Sequence, residues 1–355
     1  MRVEDVDQNL KVDKKIDKTG LVFYNFEDEP FKIYGGMKKE ADGKYHRVPS
    51  SVAEATSPGV VTLHTHLAGG RVRFVTDSKR VAIIAKYADV YNGAHFPDTG
   101  SVGLDLFVEN KLISSFAPPA NMPNKAYESL LTIPASLGEG NKLVTIHLPT
   151  YSSLIELHIG LDEGASLLPP TPYKYEKPIL YYGSSITQGG CCSRPGSTYQ
   201  ALLTRWLDTD HINLGFSGSA KGEEPMVEHL ASIDASIFVC DYDHNAPNPE
   251  HLEKTHLPLY RKVREKHPDM PIIFMTRPND IIRTESRLAR KAVIKKTYDI
   301  AVSEGDKNVY FVDPTEFFPF DSDEHTVDSA HPTDLGFYFM AKGLYPLIKE
   351  ILEKK

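Results

Sequence analysis

Two patterns of apolar and polar positions divide the chain. Up to about Pro170, apolar residues recur in short stretches, several alternating with polar ones, and Gly, Pro, Asn or Asp separate them. The stretches are Leu21–Phe26, Phe31–Tyr34, Val60–His66, Val72–Thr76, Val81–Tyr87, Val102–Val108, Leu112–Phe116, Ser129–Ile133, Leu143–Leu148 and Leu154–Ile159. So many short strands with almost no helical period predict an antiparallel β-sandwich or jelly roll over residues 1–170.

The pattern changes after the proline-rich joint Leu167-Leu168-Pro169-Pro170-Thr171-Pro172. Uninterrupted apolar runs now recur at Ile179–Tyr182, Ile212–Phe216, Ile237–Cys240, Ile272–Met275 and Val309–Val312. They are roughly thirty residues apart, the size of a βαβ unit. Helical periods fill the gaps at Thr198–Leu207, Glu250–Lys266 and Ser286–Ser303, and a last helix runs from about Thr333 to Glu353. Continuous apolar strands alternating with helices predict a five-stranded parallel sheet covered on both faces over residues 171–355, a flavodoxin-like three-layer α/β arrangement. In such a sheet ligands bind beyond the carboxyl ends of the strands, so the residues just after each strand are the candidates for chemistry.

The first strand ends at Gly183-Ser184-Ser185-Ile186-Thr187, which lifts a serine to the strand's end, and Asp328-Ser329-Ala330-His331-Pro332 lies far downstream. A serine, an imidazole and a carboxylate are the parts of a nucleophile activated by a general base. Asp328 and His331 are one helical turn apart and share a face if that segment is helical. Pro332 suits the first position of the closing helix. The amides of Ser185 and Gly218 and the side chain of Asn245 are candidate donors to an oxyanion. Without its partners Ser185 reads equally well as a helix N-cap, and Gly218 and Asn245 as turn residues. No Gly-x-Ser-x-Gly motif is present, which disfavours an α/β-hydrolase.

Together these blocks resemble the SGNH (GDSL-type) hydrolases. Gly183-Ser184-Ser185-Ile186-Thr187 resembles the family's first block, Asn213-Leu214-Gly215-Phe216-Ser217-Gly218 the second, and Asp328-x-x-His331-Pro332 the last. The third block, usually Gly-x-Asn-Asp, is here Asp241-Tyr242-Asp243-His244-Asn245, and only Asn245 fits. Gly103-Leu104-Asp105-Leu106-Phe107 is similar to the Gly-x-Asp-Leu-Tyr signature of a β-rich domain that precedes some of these hydrolases. The resemblance implies a serine ester hydrolase with Ser185 as nucleophile, His331 as base and Asp328 as orienter, with Ser185, Gly218 and Asn245 around the oxyanion. Its layout is similar to two-domain carbohydrate esterases, which implies an acetylated sugar or polysaccharide as substrate. A general short-chain carboxylesterase and an inactive carbohydrate-binding protein stay open as alternatives.

Composition narrows the classes further. Hydrophobic residues make up 41% and charged residues 25%, with a formal net charge of −8. An acidic balance argues against a nucleic-acid partner, and no apolar run reaches the roughly 18 residues of a membrane span. The first residues lack a signal-peptide core, so the compartment stays open, secreted or periplasmic if a leader was removed. Cys191, Cys192 and Cys240 give no disulfide framework. Arg194, Tyr242 and Arg277 sit after strands and are candidate substrate contacts. Trp206 reads as core beside Leu202, Leu203 and Leu207. Asp241-x-Asp243-x-Asn245 opens like a calcium loop, but Ala246 replaces the required glycine and Leu252 the closing glutamate. His64 and His66 have no third ligand nearby, so neither metal nor cofactor is expected.

Overall fold

The computed structural model describes residues 3–7, 11–13, 15–120, 122–278, 284–318 and 324–354. The first half contains α1 (Val3–Val6), β1 (Leu21–Asn25), β2 (Lys32–Tyr34), β3 (Lys38–Lys39), β4 (Tyr45–His46), α2 (Ser50–Thr56), α3 (Pro58–Leu63), β5 (Arg71–Thr76), β6 (Arg80–Asp89), α4 (Asp98–Ser101), β7 (Leu104–Val108), β8 (Lys111–Phe116), β9 (Ala126–Thr132), β10 (Lys142–His147), β11 (Ser153–Asp162) and β12 (Leu167–Leu168). Two large antiparallel sheets form, ordered β1-β11-β6-β9 and β12-β5-β10-β7-β8, with β2 beside β12 on the same edge of β5, and β3 pairs with β4 alone. Alternation sends Val72, Phe74, Leu104, Leu106, Val144 and Ile146 into one core with Val81, Ile83, Leu157 and Ile159 of the other sheet.

The opposite face of the second sheet is polar yet buried. Arg71 pairs across the strands with His147, Arg73 with Thr145, and His147 with Asp105. None of these five residues is more than 8% exposed, because the second half of the chain covers them. Arg71 donates to His211 at 2.9 Å and forms an ion pair with Asp210. The Arg205 guanidinium lies 4.2 Å over the Phe107 ring.

One expected strand is wrong. Val60–His66 is mostly helix α3 and the turn after it. Ser57 caps this helix by accepting from the Val60 amide at 3.3 Å, and Pro58 takes a first-turn position. The cap overrides the β preference of Val60, Val61 and Thr62.

The second half runs β13 (Tyr175–Gly183), α5 (Ser185–Gln188), α6 (Tyr199–Leu207), β14 (Thr209–Gly215), α7 (Glu224–Ser232), β15 (Ile237–Asp241), α8 (Pro249–Lys266), β16 (Ile272–Met275), α9 (Glu285–Ser303), β17 (Val309–Val312) and α10 (Asp334–Glu353). The parallel sheet has the order β14-β13-β15-β16-β17. Leu180 and Tyr182 of β13 face one helix layer and Ile179 and Tyr181 the other. The chain leaves β13 to one side for β14 and returns to the other for β15, so the topological switch point lies at the carboxyl end of β13. Among the described residues, no helix is long and apolar enough to cross a membrane. Trp206 is not core. It is 38% exposed, edge-on to Tyr338 and Tyr345, because α6 buries its Tyr199–Leu203–Leu207 stripe instead.

Candidate active site

At the switch point β13 turns directly into α5. Ser184 caps this short helix, accepting from the Ile186 amide at 3.2 Å, and Ser185 is its first residue. The N-cap role weighed for Ser185 thus belongs to its neighbour, which leaves the Ser185 hydroxyl free to point out of the helix. Gly189 ends the turn at φ 99°, a left-handed conformation that glycine takes without strain. Ser185 is 6% exposed.

His331 Nε2 lies 2.8 Å from Ser185 Oγ, and its Nδ1 lies 2.8 Å from Asp328 Oδ2. The pair does not meet on a helix face. Asp328 Oδ1 accepts from the backbone amides of Ala330 at 3.1 Å and His331 at 2.8 Å, so a side-chain-closed turn with Ser329 at φ 61° folds the imidazole back. Pro332 also lies outside the closing helix, which Thr333 caps and Asp334 begins. Pro332 instead bridges to Thr326 and braces the loop. Partial burial raises the Asp328 carboxyl, but the hydrogen bonds from the His331 amide and ring outweigh it and hold the group below its ordinary value. Asp328 is therefore a carboxylate near neutral pH, able to keep Nδ1 protonated and Nε2 ready to accept.

Gly218 follows β14 at φ 65° and has nothing within 4 Å of where a Cβ would stand. Asn245 Nδ2 donates one hydrogen to Phe216 O at 2.9 Å, leaving the second available. Gln188 Oε1 holds the Ser217 amide at 2.9 Å and so ties α5 to this turn.

The three candidate substrate contacts fare differently. The Arg194 guanidinium is held by buried Asp105 at 3.2 Å, and the same carboxylate accepts from the Gly196 amide at 2.7 Å. The acid of the Gly-x-Asp signature thus anchors the loop after Ser185. Tyr242 is a correction. It is 1% exposed, hydrogen-bonded to Thr255 and packed on Tyr182 and His256, so it offers no face to a substrate. Arg277 Nη2 donates to Ser329 O at 2.7 Å and braces the loop that carries Asp328 and His331.

One further cluster is brought together. Single ligand atoms of Asp241, Asp243 and His244 lie within 4.8 Å of one another. The side chains are engaged among their neighbours: Asp243 with His244 at 3.0 Å and with the Arg277 amide at 3.2 Å, and Asp241 with Thr187 at 3.1 Å. Burial and then the Asp243 charge push the Asp241 carboxyl up, whereas Asp243, buried but bonded to His244 and the Arg277 amide, is held down. The two carboxyls are thus pushed in opposite directions.

Sequence reasoning missed the residues that the β-rich half sends to the site. Tyr151 Oη reaches Ser185 O at 3.4 Å. Phe96 stands 6.4 Å from the His331 ring, 4.8 Å from Tyr151 and 5.2 Å from Tyr91. His66 lies 5.9 Å from Tyr151 and 3.3 Å from Gln188 Nε2. No motif marks these loop residues.

A doubly wound five-stranded sheet with this serine, imidazole and carboxylate at its switch point defines an SGNH-type hydrolase fold. The model of the GDSL-like lipase/acylhydrolase family matches residues 176–349, and that of the GxDLY N-terminus of SGNH-hydrolase-type esterases matches residues 21–167. A protein from Bacteroides ovatus described as a GDSL-like lipase is 30% identical, with a TM-score of 0.81 over 94% of this chain and 98% of that one. The chain belongs to the GDSL-like lipase/acylhydrolase family and is an ester hydrolase. Two less similar structures share the fold. The salicylyl-acyltransferase SsfX3 from a tetracycline biosynthetic pathway is 20% identical, with a TM-score of 0.76 over 94% of this chain and 98% of that one. A family two carbohydrate esterase from Clostridium thermocellum, in complex with cellohexaose, is 15% identical, with a TM-score of 0.65 over 91% of this chain and 99% of that one. No curated protein matches by sequence.

Proposed function

We propose that the protein is a serine esterase that works through an acyl-enzyme and removes acetyl groups from a sugar or polysaccharide. The observation that carries the chemistry is the unbroken chain Ser185 Oγ–His331 Nε2 at 2.8 Å and His331 Nδ1–Asp328 at 2.8 Å. Ser185 Oγ bonds to the ester carbonyl carbon as its proton passes to His331 Nε2. The carbonyl oxygen becomes an oxyanion, stabilised by the amides of Ser185 and Gly218 and by Asn245. The C–O bond to the alcohol breaks, and His331 gives its proton to the departing oxygen. Water repeats the sequence against the acyl-enzyme and releases the acid. The step balances with these side chains and water alone.

The acetylated sugar is the finer part of the proposal. Its support is the layout shared with the Clostridium thermocellum esterase and the aromatic and polar groups gathered beside His331 and Gln188. That the fold is shared with an acyltransferase shows that the fold alone does not choose the acyl acceptor. The β-rich half, placed at residues 1–170, and the hydrolase half, 171–355, are proposed as two domains.

Acetate release from acetylated sugars, beside p-nitrophenyl esters of rising chain length, tests the proposal. Ser185→Ala should lose turnover by roughly 10^5–10^6-fold. Wild type preferring long acyl chains removes the acetyl assignment. Equal turnover by wild type and mutant removes the serine mechanism.

A further inference from the structure

The β-rich half faces the catalytic imidazole with a wall of rings. Tyr91 packs edge-on to Phe96, Phe96 edge-on to Tyr151, and Phe96 comes within ring contact of His331. Tyr151 is buried, but Tyr91 is 39% exposed and Phe96 is half-buried, so an aromatic pair is presented at the mouth of the site. The segment bearing it is fastened to the loop after the nucleophile. Thr99 Oγ1 donates to Ser193 O at 2.6 Å, and a Cβ on Gly100 would stand 2.1 Å from Cys192 O. The wall is therefore held in position rather than resting against the site.

A cavity of about 370 Å3 adjoins this wall. Three separate segments step from one to the other within two residues: Asp89 to Tyr91, Ser153 to Tyr151, and Thr65 to His66. The lining is polar. Inside it His64 is 7% exposed, its Nδ1 is bonded to Val61 O at 2.6 Å, and its Nε2 has no partner among the described residues. Burial keeps this imidazole neutral by lowering it. Asp42, Glu54 and Asp89 line the cavity against one lysine, Lys44, so the space repels anions.

We infer that the β-rich half holds the alcohol side of the substrate: Tyr91 and Phe96 are the platform for the sugar ring bearing the ester, and the adjoining cavity is a subsite for a further uncharged sugar unit. The inference rests on the Ser185 esterase reading and names the substrate class of that site. An exposed tyrosine beside a half-buried phenylalanine suits the apolar C–H face of a pyranose. The carboxylates and hydroxyls of the lining suit its hydroxyls. A uronic acid would meet like charge.

The test compares kcat/KM on three esters: ethyl acetate, a mono-acetylated methyl xyloside and mono-acetylated xylotriose. Wild type should rise along the series. Tyr91→Ala and Phe96→Ala should each lower the ratio of xyloside to ethyl acetate by about five- to tenfold, chiefly through KM, and Phe96→Tyr should restore it. Asp89→Ala should erase the gain from xyloside to xylotriose. A purely structural wall would lower all three esters in proportion and leave the ratios intact, which overturns the inference. So does a larger gain with an acetylated galacturonate trimer. A flat wild-type series with Ser185→Ala inactive sinks the subsites and spares the esterase, whereas an active Ser185→Ala sinks both. If Phe96→Ala does not fold, exposed Tyr91→Ala carries the measurement.

Discussion

The two halves of the molecule deliver chemistry to one site by different means. In the α/β half, function sits where the architecture puts it. The strand end, the tight turn and the helix N-terminus at Ser185 are one local sequence event. In the β-rich half, the interior is built by alternation, and the groups that reach the site are loop residues: His66, Tyr91, Phe96 and Tyr151. The seam between the halves is the polar face of a sheet, holding Arg71, Arg73, Asp105 and His147 out of water. On the esterase proposal one half is the engine by virtue of its topology, and the other, fixed to it through buried charge, shapes what reaches it.

The comparison breaks most sharply at Asp328. If the engine lies wholly in the α/β half, Asp328→Asn should lower kcat by about 10^3–10^4-fold while the fold persists, because an amide can hold His331 in the wrong tautomer. Stopped-flow acetate release with melting curves alongside is the check. A fall of less than tenfold would mean that the Asp328 charge is not needed to orient the ring.

Asp105 tests the fastening of the halves. Its carboxylate, 0% exposed, binds Arg194, Ser115 and the Gly196 amide. Asp105→Ala should cost about 2–3 kcal/mol, since it strands the buried Gly196 amide and unpairs a guanidinium that is only partly exposed. Urea unfolding gives the number. Activity in the residual folded protein should fall too, because the loop 190–196 is freed.

Acid sharpens the comparison, since both halves bury neutral histidines. Burial, then the Arg47 charge, lowers His66 to about 4, and burial lowers His256 to about 3. Unfolded, each takes a proton below about pH 6.5. The folded state cannot, so stability falls as pH drops from about 6.5 towards the folded values, by roughly 2 kcal/mol per histidine at pH 5. His66→Gln and His256→Leu should each remove one such increment from the pH 7 to pH 5 difference in urea unfolding. His66→Gln tests the wall beside the site, and His256→Leu the core of the other half. An unchanged slope in either variant would mean that the ring is already protonated in the fold.

How much was legible beforehand follows the same divide. Uninterrupted apolar runs such as Ile237–Cys240 have one structural reading, and Ser185, Asp328 and His331 sit in blocks whose spacing is informative. Residues 60–66 misled because Ser57 and Pro58 outweigh three β-favouring residues. Tyr242 misled because its position after a strand says nothing about which way its ring turns, and the ring turns into the core. The Asp328–His331 spacing fits a helix and a turn equally, and only the two amides donating to Asp328 select the turn. Tyr91 and Phe96 carried no signal at all. Phe96 meets His331 across more than two hundred residues of sequence, and Tyr91 joins it only through Phe96 and Tyr151, which no local pattern encodes.

The smallest effect concerns Gly218, where the α/β half uses backbone rather than a side chain. Its φ of 65° is left-handed, and the space beyond its Cα is open. Gly218→Ala therefore meets no clash, only the strain of an L-residue in that region, about 1 kcal/mol. The turn can relieve the strain by rotating, and rotation swings the Gly218 amide off the oxyanion. Stability and kcat should then fall together, by about 1 kcal/mol in urea unfolding and about fivefold in kcat, with KM little changed because the charge develops only in the transition state. A stability loss with kcat untouched would remove Gly218 from the oxyanion site. A kcat loss far beyond fivefold would show that the turn responds to a single methyl group by moving Asn245 as well, since Asn245 is tied to the same turn through Phe216 O.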